Sequence, residues 1–161
     1  MVVTKSVIIK PVTGDEANHL LRQSDDYMAS LYPAESNHLV DSSALRGKGA
    51  RFIGAFLDDV CAGCVGVRFF QDSPPYGEIK RLYVDPVYRG KAIASKLMAE
   101  IEQVTIAEGI AMVRLETGVL QKAAIGLYES LGYCHIQPFG SYLDDPLSLF
   151  MEKHLVPSAP A

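Results

Sequence analysis

Apolar positions along the chain switch between two spacings, and the switches mark out its elements. Residues 6–12 are rich in β-branched side chains and read as a first strand. Ala17, Leu20, Leu21 and Met28 follow at roughly helical spacing, with Thr13 and Asp15 offering N-cap oxygens ahead of them. Tyr32-Pro33 ends that helix, because the residue before a proline avoids the α region. A second short helix is expected over 36–46, closed by Gly47 and Gly49. Two apolar runs, 51–57 and 60–70, flank Asp58-Asp59 and read as a hairpin. Residues 73–77 form a proline-rich loop, and 78–84 a strand ended by Asp85-Pro86.

The longest helical pattern comes next. Ile93, Leu97, Ile101 and Val104 recur at spacings of four, four and three, whereas Lys96, Glu100 and Glu102 lie off that stripe. Gly109 stops it. A strand over 112–117, a helix over 122–131 with Gly132 at its end, and closing strands over 133–137 and 147–154 complete the pattern. The strand–helix–strand unit over 78–117 needs a crossover, hence a parallel pair inside an otherwise antiparallel sheet. The expected fold is therefore α/β in the α+β sense, a mixed, mostly antiparallel sheet of about seven strands with about four helices. A single domain over 1–155 and a short tail over 156–161 are expected, with no internal repeat.

Composition narrows this little. The 161 residues are 48% hydrophobic and 21% charged, an ordinary globular balance. A net charge of -4 without a long basic run argues against nucleic acid as a partner. No apolar run reaches the ~18 to 20 residues that span a membrane, and the N-terminus lacks the order of a signal peptide. No membrane partner is expected, and the default location is the cytoplasm. Cys61 and Cys64 form a C-x-x-C within an expected strand, where residues three apart point to opposite faces. No second such pair completes a metal site. No metal is expected, and the thiols read as packing.

The chemistry concentrates at 83–94, where a strand stops, the chain turns and a long helix begins. The first turn of a helix carries N–H groups without intrahelical partners and the positive end of the dipole. Gly90 and the small residues after it let a phosphate approach, and Arg89 and Lys91 add charge beside it. By spacing alone this is either an anion site or a capped helix with solvated cations. It is neither the P-loop nor the G-x-G-x-x-G motif.

Arg89-Gly90-Lys91-Ala92-Ile93-Ala94 is similar to the [QR]-x-x-G-x-[GA] signature of the GNAT acetyltransferase superfamily, with Ala92 where the signature has Gly. Residues 77–84 resemble that family's fourth strand, and 124–133 resemble its A-x-x-L-Y-x-x-x-G-[FY] segment. The three segments stand in the family's order over roughly half the chain; the N-terminal half matches in expected topology alone. Gln121 stands where many members carry Asn. Residues 33–36, 115–118 and 138–151 further resemble a group of small bacterial members, some labelled indole-acetate acetyltransferases.

The resemblance implies the GNAT fold and an acetyl-CoA-dependent N-acetyltransferase. Its acceptor would be a primary amine of a small molecule, such as an amino acid or a polyamine-like metabolite. A protein Lys or N-terminal acetyltransferase, a non-catalytic acyl-CoA sensor and a plain interaction domain are the alternatives. Family layout splays the fourth and fifth strands, with the pantetheine arm of acetyl-CoA on the backbone of Leu82, Tyr83 and Val84. Pyrophosphate would then rest on Arg89, Gly90, Lys91, Ala92, Ile93 and Ala94, with Gln121 also beside the cofactor. Tyr128 matches the family tyrosine near the sulfur and is the implied acid, with packing on the apolar helix face beside Ile125, Leu127 and Leu131 as the competing role. Glu78 is the first choice of base, with an ion pair to its same-face neighbour Lys80 as the competing role, and Glu116 is the second. The N–H of Leu82 is the implied oxyanion donor. Residues 32–36, 69–77 and 141–145 would line the acceptor pocket, and Tyr32, Glu35, Arg81 and Tyr142 are the substrate candidates. A homodimer would also fit the family.

Overall fold

The computed structural model describes residues 6–37 and 40–156. Among these, seven strands form one sheet in the order β1-β2-β3-β4-β5-β7-β6. The strands are β1 (Ile8–Pro11), β2 (Ala50–Leu57), β3 (Val60–Phe70), β4 (Tyr76–Val84), β5 (Met112–Gly118), β6 (Cys134–Ile136) and β7 (Ser148–His154). Three α-helices accompany them: α1 (Asn18–Leu31), α2 (Ile93–Ala107) and α3 (Lys122–Ser130). All strand pairs are antiparallel except β4 with β5, which run parallel on either side of the α2 crossover. This is the mixed sheet that the alternating periods require.

The two faces of the sheet carry separate cores. On one, Ile93, Leu97, Met98 and Ile101 of α2 and Tyr128 of α3 pack on Ile53, Val65, Val67 and Val113. On the other, Leu20 and Leu21 of α1, with Ala17 just before it, pack on Phe52, Phe56, Cys61 and Cys64. A third cluster, Tyr76, Met112, Phe139 and Phe150, seals the far end. Asp58 and Asp59 both take positive φ, 47° and 66°, the pair of left-handed residues a tight hairpin needs.

Several expectations change. The short helix expected over 36–46 is two 3-10 turns, Ala34–Ser36 and Ser42–Leu45, so the helices number three rather than four; residues 38–39 lie outside the described set. Helix α1 starts without a side-chain cap, at Ala17. Thr13 instead exchanges bonds with Glu16 one turn earlier: Thr13 N–H donates to Oε1 at 3.0 Å and Glu16 N–H to Thr13 Oγ1 at 3.1 Å. Strand β4 begins at Tyr76, two residues early. Glu102, off the apolar stripe, is nonetheless buried, accepting from the Tyr133 hydroxyl at 2.8 Å and from Lys153 at 2.9 Å. Thr105 turns inward beside it, while Val104 is only half-buried.

Cys61 and Cys64 do not diverge. The register slips where Ala55 faces Gly63 but Phe56 faces Cys61, so Ala62 is an extra residue in β3. That bulge turns both thiols onto the α1 face. Burial raises the thiol of Cys61 to about 11 and that of Cys64 to about 12, so both stay protonated. The expected tail over 156–161 lies outside the described residues except for exposed Val156.

Candidate active site

β4 and β5 are paired at two positions only, Gly77 with Val113 and Glu78 with Arg114. Beyond them both strands continue, to Val84 and Gly118, but part company. The cause lies in β4. Against β3, Gly66 faces Lys80 and Cys64 faces Tyr83, so two residues, Arg81 and Leu82, lie opposite Val65. Arg81 sits in the left-handed region at φ 60°. A bulge of this kind bends its strand and frees ladder groups.

The opened wedge is a cleft of about 280 Å3, with Leu82, Tyr83 and Val84 along one side and Gln121, Ala124 and Leu127 of α3 and its approach along the other. Ser24, Tyr27 and Met28 of α1 form its third wall, and Arg89 stands at its end. A smaller chamber of about 70 Å3 lies beside it, bordered by Lys80, Arg81, Leu82, Glu116, Thr117 and Tyr128. Leu82 and Gln121 border both.

Past Val84 the chain forms a 3-10 turn, Pro86–Tyr88, held by the Asp85 carboxylate accepting from Val87 N–H at 3.1 Å. Gly90 at φ 82° and Ala92 at φ 58° then reverse the chain into α2. The first intrahelical bond runs from Lys96 N–H to the Ala92 carbonyl, 3.1 Å, which leaves the N–H groups of residues 93–95 outside the helix ladder. A Cβ at Gly90 would meet nothing within 4 Å, so the turn faces open space. Arg89 is braced to the strand, its Nε donating to the Val84 carbonyl at 3.3 Å and its guanidinium lying 5.7 Å from the Tyr83 ring. Lys91 is exposed.

Tyr128 is buried, and burial, with the nearby Glu116 charge, pushes its hydroxyl above the ordinary tyrosine value. It therefore holds its proton. Glu78 is buried as well. It accepts from the Tyr142 hydroxyl at 2.6 Å and pairs with Lys80 at 3.2 Å, and Lys80 also touches the Tyr142 oxygen. Glu116 accepts from the Ser148 hydroxyl at 2.9 Å. Of the two carboxylates, Glu116 borders the Tyr128 chamber and Glu78 does not, though its ion-pair partner Lys80 does. Gln121 spends its side-chain oxygen on Gly118 N–H at 3.0 Å, so its extra length folds back onto β5.

Two sequence candidates for the acceptor pocket make structural contacts, and a third is exposed. Tyr32 is buried, with its ring against Gly118 and its oxygen accepting from Leu120 N–H at 3.0 Å, a bracket between α1 and the approach to α3. Glu35 is exposed on its 3-10 turn, whose neighbour Ser36 donates to Asp145 at 2.7 Å. Arg81 borders the chamber but gives its Nη atoms to α1: Nη1 to Asp25 at 2.7 Å and Nη2 to the Leu21 carbonyl at 3.1 Å. Tyr142 donates to Glu78 and borders neither cavity. What sequence reading missed is the α1 wall. Ser24 is buried, and the sign available in the sequence was its place four residues after Leu20 and four before Met28, on the apolar face of the helix.

Among the described residues no cluster of His, Cys, Asp and Glu suits a metal ion, and no helix is long and apolar enough to cross a membrane. Residues 17–133 match the model of the acetyltransferase (GNAT) family. An IAA acetyltransferase from Azospirillum brasilense is 43% identical over 141 residues, 88% of this chain and 92% of its own. A crystal structure from Klebsiella pneumoniae, described as an acyl-CoA N-acyltransferase, superposes with a TM-score of 0.77 at 29% identity, covering 93% of this chain and 98% of that one. The PaiA N-acetyltransferase of Thermoplasma acidophilum, solved in complex with coenzyme A, shares the fold with a TM-score of 0.73 at 20% identity over 92% of this chain and 99% of its own.

Proposed function

The chain belongs to the GNAT acetyltransferase family, and from that membership we propose that it moves acetyl from acetyl-CoA to a primary amine of a small molecule such as an amino acid or polyamine-like metabolite. The observation that carries this is a pair of adjoining cavities that share Ser24, Met28, Leu82 and Gln121, one reaching Arg89 and Ala94 at the helix start and the other Tyr128, with the bulged edge of β4 along both.

The residues present fit the cosubstrate. The N–H groups at 93–95 and the open Gly90 turn suit a pyrophosphate, with Arg89 and Lys91 beside them. Leu82, Tyr83 and Val84 offer a strand edge parted from β5, which suits the amides of a pantetheine arm. Gln121 and Ala124 face them across the cleft. Acetyl-CoA supplies the acetyl group as an activated thioester.

The chain's own groups then meet three needs. The Leu82 N–H, at the bulge, stabilises charge that develops on the reacting carbonyl oxygen. Tyr128, kept protonated by burial, donates its proton to the departing sulfur. Glu116, in the same chamber, takes the proton of the incoming amine, while Glu78 holds Lys80 and Tyr142 in place behind it.

Release of free coenzyme A thiol, measured over a panel of amino acids, polyamines and short peptides, tests the reading. Turnover on a small amine is expected. Tight acetyl-CoA binding with no thiol release on any amine would make the chain a sensor, and turnover on peptides alone would make it a protein acetyltransferase.

A further inference from the structure

Arg81 bears several local costs at once. Its backbone sits at φ 60°, a left-handed conformation that penalises a side chain by ~1–2 kcal/mol. Its side chain is 3% exposed, so a full charge is withdrawn from water. Its Nε is buried without a partner among the described residues. Costs gathered on one residue beside a reaction chamber point to a constraint of function rather than of folding.

The geometry shows what is obtained. From the bulge of β4 the guanidinium crosses to α1, where Nη1 meets Asp25 at 2.7 Å and Nη2 the Leu21 carbonyl at 3.1 Å. The Arg81 carbonyl in turn accepts from the Cys64 thiol of β3 at 3.5 Å. The residue next in the chain is Leu82. About two turns of α1 carry Leu21, Ser24, Asp25 and Met28, so the helix that holds Arg81 also walls the cleft through Ser24 and Met28.

We infer that Arg81 is a positioning residue for acetyl transfer: anchored to Asp25 and Leu21 of α1, it fixes the β4 bulge so that the Leu82 N–H faces the reacting carbonyl oxygen. This rests on the role given to Leu82 above. It also places the sequence-derived substrate role of Arg81 one step back, behind the backbone it holds.

Two substitutions separate the side chain from the backbone. Arg81→Gly keeps a residue that accepts φ 60° without strain and removes the guanidinium. Asp25→Ala removes the partner from a half-exposed helical site, where Ala is well tolerated. The full chain is assayed for thiol release from acetyl-CoA with the amine panel, for acetyl-CoA affinity by calorimetry, and for the Leu82 amide signal by 15N NMR. Arg81→Gly is expected to lose about tenfold to a hundredfold in kcat, as a misplaced reacting geometry does, with acetyl-CoA affinity within about threefold. Asp25→Ala should lose less, and Arg81→Lys should recover part of the rate. In both disruptive variants the Leu82 amide should respond to acetyl-CoA differently from the parent.

Parental kcat in Arg81→Gly would overturn the inference, as would a rate loss matched by an equal rise in the KM for acetyl-CoA. Where Arg81→Gly does not fold, Asp25→Ala decides. Should the parent release no thiol with any amine, the proposed function fails first. The amide test still stands then: an identical Leu82 response in parent and Asp25→Ala would sink the positioning role by itself.

Discussion

Ala92→Gly is the substitution whose outcome the backbone fixes most directly. Ala92 is the N-cap of α2, stands at φ 58°, and makes no side-chain capping bond. An L-residue there carries ~1–2 kcal/mol of strain that Gly does not. Gly in turn widens the unfolded ensemble, which returns about 0.4–1 kcal/mol to the unfolded side. The difference leaves Ala92→Gly more stable by roughly 0.5–1 kcal/mol. At about 2–4 °C per kcal/mol for a chain of this size, Tm should rise by about 1–4 °C. Gly90→Ala is the mirror experiment, because Gly90 is at φ 82° and an added Cβ would meet nothing within 4 Å. No clash is added there, so strain less the same unfolded-state term acts, and Tm should fall by a similar amount. Thermal melts by circular dichroism read both, and calorimetric titration of acetyl-CoA should find the Ala92→Gly affinity equal to or above the parent's. A lower Tm for Ala92→Gly, or a higher one for Gly90→Ala, would refute the assignment of left-handed strain to this turn.

Other outcomes test the rest of the site. Tyr128→Phe should lose at least about tenfold in turnover with acetyl-CoA affinity held, and an unchanged rate would remove Tyr128 from the mechanism. Glu116→Gln should lower kcat/KM more than Glu78→Gln at neutral pH; the reverse order would move the base to Glu78. Gly118→Ala puts a Cβ 1.9 Å from the Tyr32 oxygen and should destabilise by about 1–3 kcal/mol in a urea melt, with Tyr32→Ala relieving part of that clash. At pH 8 a thiol reagent should modify exposed Cys134 quickly and reach Cys61 and Cys64 only in denaturant. Because burial raises those two thiols from 9.0 to about 11 and about 12, their contribution to stability is whole below pH 9 and is lost as pH climbs past it. A Cys61→Ala, Cys64→Ala double variant should therefore show a shallower alkaline fall in Tm, and an unchanged slope would contradict the burial.

The order of elements was legible because period and punctuation repeat along the chain. The parallel β4–β5 pair followed from a strand–helix–strand unit too long for a hairpin. The Glu78–Lys80 ion pair followed from two residues on one strand face, and it stands at 3.2 Å. Where period-based reading failed, a bulge intervened. Ala62 turned Cys61 and Cys64 to one face, and Arg81–Leu82 opened the cleft. An extra residue in a strand leaves no mark on composition, since its cause is the fit against the neighbouring strand.

By itself the sequence determined the sheet's make-up, the helix start that can hold an anion, and the three family-like segments that turned that start into acetyl-CoA chemistry. Local patterns suffice for those, because they rest on residues near one another in the chain. Tertiary structure alone decided which side chains share a chamber. It tied Tyr32 to Leu120 and Arg81 to Asp25, brought Tyr142 across to Glu78, and supplied a wall from Ser24 and Met28. Such contacts join positions tens of residues apart, and packing between layers, rather than any local spacing, sets them.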